Sequence, residues 1–316
     1  MIPWCFSIPE SVERLHDMSS SPLAGYFKTL TMCGPTSTSV SCRIFLEDLA
    51  TLLPICMARF PALRAISILS FPNPPLTESS QLQFDNCILN ALRSAPLPNL
   101  KSLHFEFFAA ADFRQLLMAC PGTRSLSRLM SRLQHLSVSF VDPTFRDRSF
   151  TYPNPRDEGN IFPFFRLATN LRSLKIKSVH IFDLDNLGQL NLQKLDSLEL
   201  HGVDVKSHTL LSLLSPLQTS PRHLVLQGVK LRDGTWKIIF QHLHNFPTIL
   251  FLDICYVGYS LNGESRRYSL DLMPEALRGV SDLTLQSVYS PDHVSLDLLK
   301  EAVEKRRKEA RLHLLW

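Results

Sequence analysis

The chain has 316 residues, of which 45% are apolar, and a mean hydropathy of +0.02. This composition is typical of a protein that folds around an apolar core, and it excludes a disordered chain. The net charge of +4 is a small excess for this length. Nucleic-acid binding, which needs a strongly basic face, is therefore disfavoured. No run of about 18 apolar residues occurs, so we expect no membrane span.

The N-terminus and the cysteines indicate the compartment. The first ten residues carry neither a basic region nor a long apolar region, so no signal peptide is expected. The seven cysteines are odd in number and widely spaced, which favours reduced thiols over disulfides. We therefore expect a cytoplasmic or nuclear protein.

The first predicted elements are helices. Apolar residues recur at helical spacing from Ile8 to Met18, which predicts a helix within an N-terminal cap of residues 1–25. A second helical pattern runs from Ile44 to Phe60. Each helix offers one apolar face against which a neighbouring strand can be buried.

A short strand pattern returns along the chain between helical stretches. It reads apolar-x-x-apolar-x-apolar, the alternation of a strand with one buried face. Its copies begin at Leu63, Leu100, Leu133, Leu171, Leu195, Pro221, Ile249 and Val280, with a weaker copy at Phe27. An apolar residue follows eight positions after each start from Leu63 onward, as at Val203, Val229 and Val288. The repetition predicts stacked parallel strands, with Val203 and Val229 buried one above the other.

Two longer connections interrupt the repeats, near residues 141–165 and 256–273. The first mixes charged and aromatic residues, and the second contains Arg266 and Arg267. Each is either a solvated loop or a partner-binding loop. Asp183 and Asp185 lie in another predicted loop, where we expect two solvated carboxylates.

The last predicted element is a long helix over residues 291–316, with Ser295 as its N-cap. Its apolar side would cap the last repeat. The basic run from Lys305 to Lys308 indicates either a solvated face of this helix, which we favour, or a nuclear-localisation signal.

The recurring segments resemble leucine-rich repeats, whose consensus is L-x-x-L-x-L-x-x-N/C-x-L. The resemblance covers residues 26–290 in eight or nine irregular units. It implies an α/β fold, a leucine-rich-repeat solenoid with a curved parallel sheet on the concave side and helices and loops on the convex side. Val or Phe replaces the consensus Asn or Cys, so the backbone groups that this Asn serves need another partner. The irregular spacing, and phrases such as Leu-Pro-Asn-Leu-Lys at residues 97–101, are similar to the repeat regions of fungal F-box proteins.

The resemblance implies a non-enzymatic protein-protein interaction module. Its narrower implication is substrate recognition for a cullin-type ubiquitin ligase, bound through the ligase adaptor, although no F-box is found ahead of the repeats. Two alternatives stay open, a repeat-only scaffold unrelated to ubiquitin ligases and a nucleic-acid binder that uses a basic groove. No G-x-S-x-G, H-E-x-x-H, P-loop, G-x-G-x-x-G or C-x-x-C motif occurs, so we expect no catalytic, cofactor or metal site.

The partner is expected on the concave face, where the polar positions of the strand pattern point away from the helices. The candidate binding residues are His135, Lys175, Lys177, Glu199, His201 and His223. Lys175 and Lys177 lie two apart on one strand and project the same way, which predicts a positive potential that attracts an acidic segment.

Overall fold

The computed structural model describes residues 9–33, 40–69, 78–106, 123–140, 162–187, 190, 192–217, 222–270 and 284–313. The chain divides into two compact units, Met1–Asn170 and Leu171–Trp316. In both units short parallel strands alternate along the chain with helices. The predicted α/β repeat fold of leucine-rich-repeat type is therefore confirmed.

The first unit contains one ladder of parallel strands. Its strands are β1 (Thr29–Cys33), β2 (Ala65–Leu69), β3 (Ser102–Glu106) and β4 (His135–Phe140). Its helices are α1 (Pro9–Ser20), α2 (Val40–Ala58), α3 (Glu78–Ser94), α4 (Thr123–Arg132) and α5 (Phe162–Leu167). Each strand pairs with the next in the phase of the sequence pattern, so that Ile66 lies beside Leu103 and Leu103 beside Leu136.

The core of this unit lies between one strand face and the helices. On β3, Leu103 and Phe105 are buried, while Ser102, His104 and Glu106, which alternate with them, are half-exposed. On α2, Phe45, Leu49 and Leu53 recur at intervals of four residues and are all buried. This spacing places them on one helix face, which is why the segment forms a helix packed on the strands.

The second unit contains two parallel ladders. Its strands are β5 (Ser173–Asp183), β6 (Ser197–Val205), β7 (His223–Gln227), β8 (Lys230–Leu231), β9 (Phe251–Cys255), β10 (Val257–Tyr259) and β11 (Leu285–Gln286). The first ladder runs β5, β6, β7, β9. The second joins the end of β6 to β8, then β10 and β11. The helices are α6 (Ser207–Leu214), α7 (Trp236–His244) and α8 (Ser290–His313).

The chain turns between the two ladders at residues with positive φ. These are Gly202, Gly228 and Tyr256, at +65°, +61° and +55°. Two backbone hydrogen bonds at these turns cross to a neighbouring repeat: the Gly228 N–H donates to the Cys255 carbonyl over 2.9 Å, and the Gly258 N–H donates to the Val229 carbonyl over 3.0 Å. The neighbouring coil thus supplies hydrogen bonds at turns where the chain has Val in place of the consensus Asn.

The apolar position after each strand behaves as predicted in the middle of the second unit. Val203 and Val229 are fully buried, and the pairing of Asp204 with Lys230 places them side by side. The last copy differs, because Val288 is 42% exposed. It lies beyond β11, just before the start of α8, and no strand follows β11 in the described part of the chain.

The bounds of the last helix differ from the prediction. α8 begins at Ser290, and Ser295 lies inside it, buried, so Ser295 is not the N-cap. The backbone just before the helix is held instead by Ser287, whose hydroxyl accepts from the Tyr289 N–H over 3.0 Å. The buried Asp292 in the first turn accepts from the Lys237 N–H over 2.7 Å, which joins the starts of α8 and α7.

The structure describes the two predicted connections to different extents. Residues 141–161 lie outside the described part of the chain, and residues 162–165 begin α5. Of the second connection, residues 256–270 are described; they include β10 and a short 3-10 helix, Glu264–Tyr268, while residues 271–273 lie outside the described part. Among the described helices, none combines the length and apolarity that crossing a membrane requires.

Candidate functional site

The half-exposed side of the first ladder in the second unit carries a grid of side chains, which we call the open face. Cα pairing between neighbouring strands arranges it in three rows: Ser173, Ser197, His223 and Phe251; Lys175, Glu199, Val225 and Asp253; Lys177, His201, Gln227 and Cys255. Neighbouring strands are about 4.8 Å apart, so side chains of one row reach each other.

The structure brings five of the six predicted binding residues together on this face. Lys175 and Lys177 lie on β5, Glu199 and His201 on β6, and His223 on β7. The sixth residue, His135, lies on β4 of the first unit, where it is exposed and pairs in register with Ser102. The strand pattern could place these five residues on one face because the register keeps its phase from β5 to β7.

Lys175 and Glu199 form an ion pair across β5 and β6, with 2.7 Å between Nζ and Oε2. Partial burial by itself would raise the pKa of Glu199. The hydrogen bond and charge of Lys175, helped by His201 and His223, more than offset this and lower that pKa below its ordinary value. The positive charge expected from Lys175 is thus largely neutralised at neutral pH.

A chain of polar contacts continues from this pair across the face. His201 Nε2 lies 3.4 Å from Glu199 Oε2, and His201 Nδ1 lies 2.9 Å from Gln227 Oε1. On the far side, Gln227 Nε2 donates to Asp253 Oδ2 over 2.9 Å. These contacts connect β5 to β9 without a break, and they hold the side chains in defined positions.

An aromatic pair occupies the first row. The rings of His223 and Phe251 are stacked, with centroids 4.4 Å apart and planes inclined by 11°. His223 Nδ1 also lies 3.0 Å from the Ser197 hydroxyl. Phe251 remains 44% exposed, whereas Val225, which the sequence pattern places among the outward positions, is only 6% exposed. The short Val225 lies between the longer Glu199 and Asp253 in its row and forms the floor of the face.

A second charged cluster was missed by the sequence analysis. Arg232 bonds through one guanidinium nitrogen to both Asp183 and Asp185, so these carboxylates are not simply solvated as expected. Asp185 also accepts from the Lys206 N–H over 2.8 Å, just before α6 begins. The pairing of β5 with β6 shifts register between Lys177 and Phe182, so the sequence pattern could not align Asp183 with Arg232.

The second connection packs on this cluster. Ser260 donates to Asp204 Oδ2 over 2.7 Å, and the Ser265 N–H donates to the Arg232 carbonyl over 3.1 Å. The ring of Tyr268 lies 5.3 Å from that of Tyr259. Through these contacts the described part of the connection, residues 256–270, packs on the second ladder, while Arg266 and Arg267 remain exposed.

Two of the basic residues on α8 have structural partners. Arg306 bonds to the His244 carbonyl at the end of α7, and Arg307 Nε donates to the Leu250 carbonyl over 3.0 Å. Both contacts hold α8 against the preceding repeat: the first satisfies the carbonyl at the end of α7, and the second the carbonyl just before β9. Within the described ranges, no group of three or more His, Cys, Asp or Glu side chains is arranged to hold a metal ion.

Comparison with known proteins gives no family assignment. No protein-family model matches the chain, and no curated protein sequence matches it. Among solved structures, the chain is similar to a protein from Bacteroides fragilis with 10% sequence identity and a TM-score of 0.30, over 73% of this chain and 75% of that one. It is also similar to an internalin from Listeria monocytogenes with 13% identity and a TM-score of 0.28, over 80% and 77% of the two chains. Similarities at this level assign no function, which must be inferred from the open face.

Proposed function

We propose that this chain is a non-enzymatic protein-interaction module that binds its partner on the open face of the second unit. The observation that carries the proposal is the unbroken set of polar contacts from Lys175 to Asp253. A surface whose side chains are already fixed loses little conformational entropy on binding. Exposed Lys177 and half-exposed Phe251 flank this set and offer one charged and one aromatic contact.

The charges on the open face favour a protein partner over nucleic acid. Its two lysines, Lys175 and Lys177, are balanced by two carboxylates, Glu199 and Asp253. Phosphate backbones are bound by clustered basic residues with no such balance. The alternative of a nucleic-acid binder with a basic groove therefore receives no support from this face.

Substrate selection for a cullin-type ubiquitin ligase is the narrower form of the proposal. Its support is the resemblance of the repeats to those of fungal F-box proteins, and a repeat-only scaffold is its competitor. Co-purification of the purified chain with the ligase adaptor separates the two. Stable adaptor binding supports the ligase role, whereas its absence, with binding of another protein retained, supports the scaffold.

The binding proposal is tested by co-purification from the source cell with an open-face variant, Lys177→Glu combined with His223→Ala. We expect loss of the partners that the unaltered chain retains. The matched control is Lys308→Glu, which makes the same charge change at an exposed site on α8. Circular dichroism establishes that both variants fold. An undiminished yield from the folded open-face variant would place the binding surface elsewhere.

A further inference from the structure

We propose that Phe251 and Asp253, at the β9 side of the open face, bind a basic side chain of the protein partner, with arginine preferred. This inference rests on the proposed function and adds the chemistry of the recognised residue. We call Phe251, Asp253 and the supporting His223 the basic-residue site. Because Phe251 and Asp253 lie two apart on one strand, their side chains project from the same face.

The aromatic part of the site is held in place from one side and open on another. His223 stacks on Phe251 at 4.4 Å, and the Ser197 hydroxyl holds His223 at 3.0 Å. Phe251 is nevertheless 44% exposed, which is high for a phenylalanine in the middle of a repeat unit. An aromatic ring fixed in this way offers a flat, electron-rich surface to a planar cation.

The acidic part of the site is the carboxylate of Asp253, which has no cationic partner among the described residues. Asp253 receives a hydrogen bond from the neutral amide of Gln227, and no cationic side chain pairs with it among the residues that the structure describes. The other carboxylate of the face, Glu199, is paired with Lys175 at 2.7 Å. Asp253 is therefore the carboxylate of the face that can best accept a cation from the partner.

Arginine fits this arrangement better than the other charged side chains. Its planar guanidinium stacks on an aromatic ring and donates several hydrogen bonds in the same plane, so that one side chain serves both Phe251 and Asp253. Lysine supplies the charge without the planar stacking. Acidic side chains and phosphate groups would be repelled by Asp253.

A library of random linear peptides, displayed and selected on the purified full chain, provides the probe. We expect the selected peptides to share an arginine. A selected peptide is then synthesised with this arginine and with citrulline, its uncharged isostere. Loss of the stacked, paired cation is expected to weaken binding to the unaltered chain by about tenfold.

Variants of the chain test whether the weaker binding of the citrulline peptide arises at the basic-residue site. On Asp253→Asn, the difference between the arginine and citrulline peptides should become clearly smaller, because only cation stacking on Phe251 still distinguishes them. Phe251→Ala should reduce the difference in part. The matched control is Lys177→Gln, which changes a charge on the same face at the opposite strand and should leave the tenfold difference intact.

The outcomes separate this inference from the binding proposal. Selected peptides without a shared basic residue, or an equal citrulline effect on the unaltered chain and on Asp253→Asn, would overturn the basic-residue site. The binding proposal would survive if Lys177→Gln or His223→Ala still weakened peptide binding. Peptides that bind all of these variants equally would overturn both, since the open face would then not be the binding surface. A library that yields no binder would count against the basic-residue site.

Discussion

Lys175 Nζ lies 2.7 Å from Glu199 Oε2 on the neighbouring strand, although the two residues are far apart in sequence. The pair changes the electrostatics expected from the sequence, in which Lys175 and Lys177 together formed a positive patch. Lys177 is exposed and makes no ion pair among the described residues. Of the two lysines on β5, it is therefore the one whose positive charge is not neutralised. The two lysines should consequently respond differently to substitution.

Replacing Lys175 by Met should lower the free energy of unfolding near neutral pH, whereas Lys177→Met should leave it almost unchanged. Lys175 holds the pKa of Glu199 below its ordinary value, against the opposing effect of burial. A carboxyl group with a depressed folded-state pKa stabilises the fold above its ordinary pKa, and this stability is lost as the pH falls through the folded-state pKa.

The difference between Lys175→Met and the unaltered chain should therefore shrink as the pH is lowered below the ordinary carboxyl range, about pH 4. Urea denaturation over this pH range measures it. A difference that stays constant with pH would show that Lys175 acts through packing of its aliphatic chain and not through Glu199.

Two glycines at equivalent turns give a matched pair of substitutions. Gly202 and Gly228 have similar φ, +65° and +61°. A Cβ at Gly202 would lie 2.1 Å from the Ser178 carbonyl oxygen, whereas one at Gly228 would meet nothing closer than 3.4 Å. We expect Gly228→Ala to cost about 1 kcal/mol, the strain of a left-handed alanine.

Gly202→Ala should cost about 3 kcal/mol or more, because backbone of the neighbouring coil must move as well. Thermal unfolding of the two variants compares them directly. Similar midpoints would mean that the turn at Gly202 relaxes away from Ser178 at little cost.

The sequence predicted the strands of the second unit because their buried residues keep one phase, so that Leu174, Leu198 and Leu224 lie side by side. The same phase located five residues of the open face. The contacts among them depend on side-chain length and rotamer, which periodicity does not describe. The Lys175–Glu199 pair, the burial of Val225 and the stacking of His223 on Phe251 therefore required the structure. The cluster at Arg232 was missed for another reason, the irregular register within β5.

Arg232→Met should destabilise the second unit. Arg232 is 23% exposed and bonds to Asp183 and Asp185, and its removal would leave both carboxylates near Asp204 without this cation. Leaving partly buried charges unpaired is expected to cost about 2 kcal/mol. Arg222→Met is the matched control, because Arg222 is exposed and makes no ion pair within the described residues.

Chemical denaturation of Arg232→Lys, which keeps a positive charge at this position, checks the cause of this loss. The cost of Arg232→Lys should be smaller than that of Arg232→Met. An equal cost for the two substitutions would assign the loss to the shape and packing of the arginine side chain and not to its charge.

Asp204→Asn should change stability with a dependence on pH opposite to that of Lys175→Met. Asp204 is 4% exposed, and its burial raises the pKa of the carboxyl group, although the Ser260 hydroxyl and the charge of Arg232 act against this. A carboxyl group with a raised folded-state pKa contributes stability below its ordinary pKa, and that stability is lost as the pH rises through the folded-state pKa.

The asparagine amide cannot ionise, and its oxygen can still accept from Ser260. The variant should thus gain stability relative to the unaltered chain as the pH is raised from about 4 to about 8. Urea denaturation at intervals across this range measures the gain, and a falling or constant difference would show that the Asp204 carboxylate is well compensated in the fold.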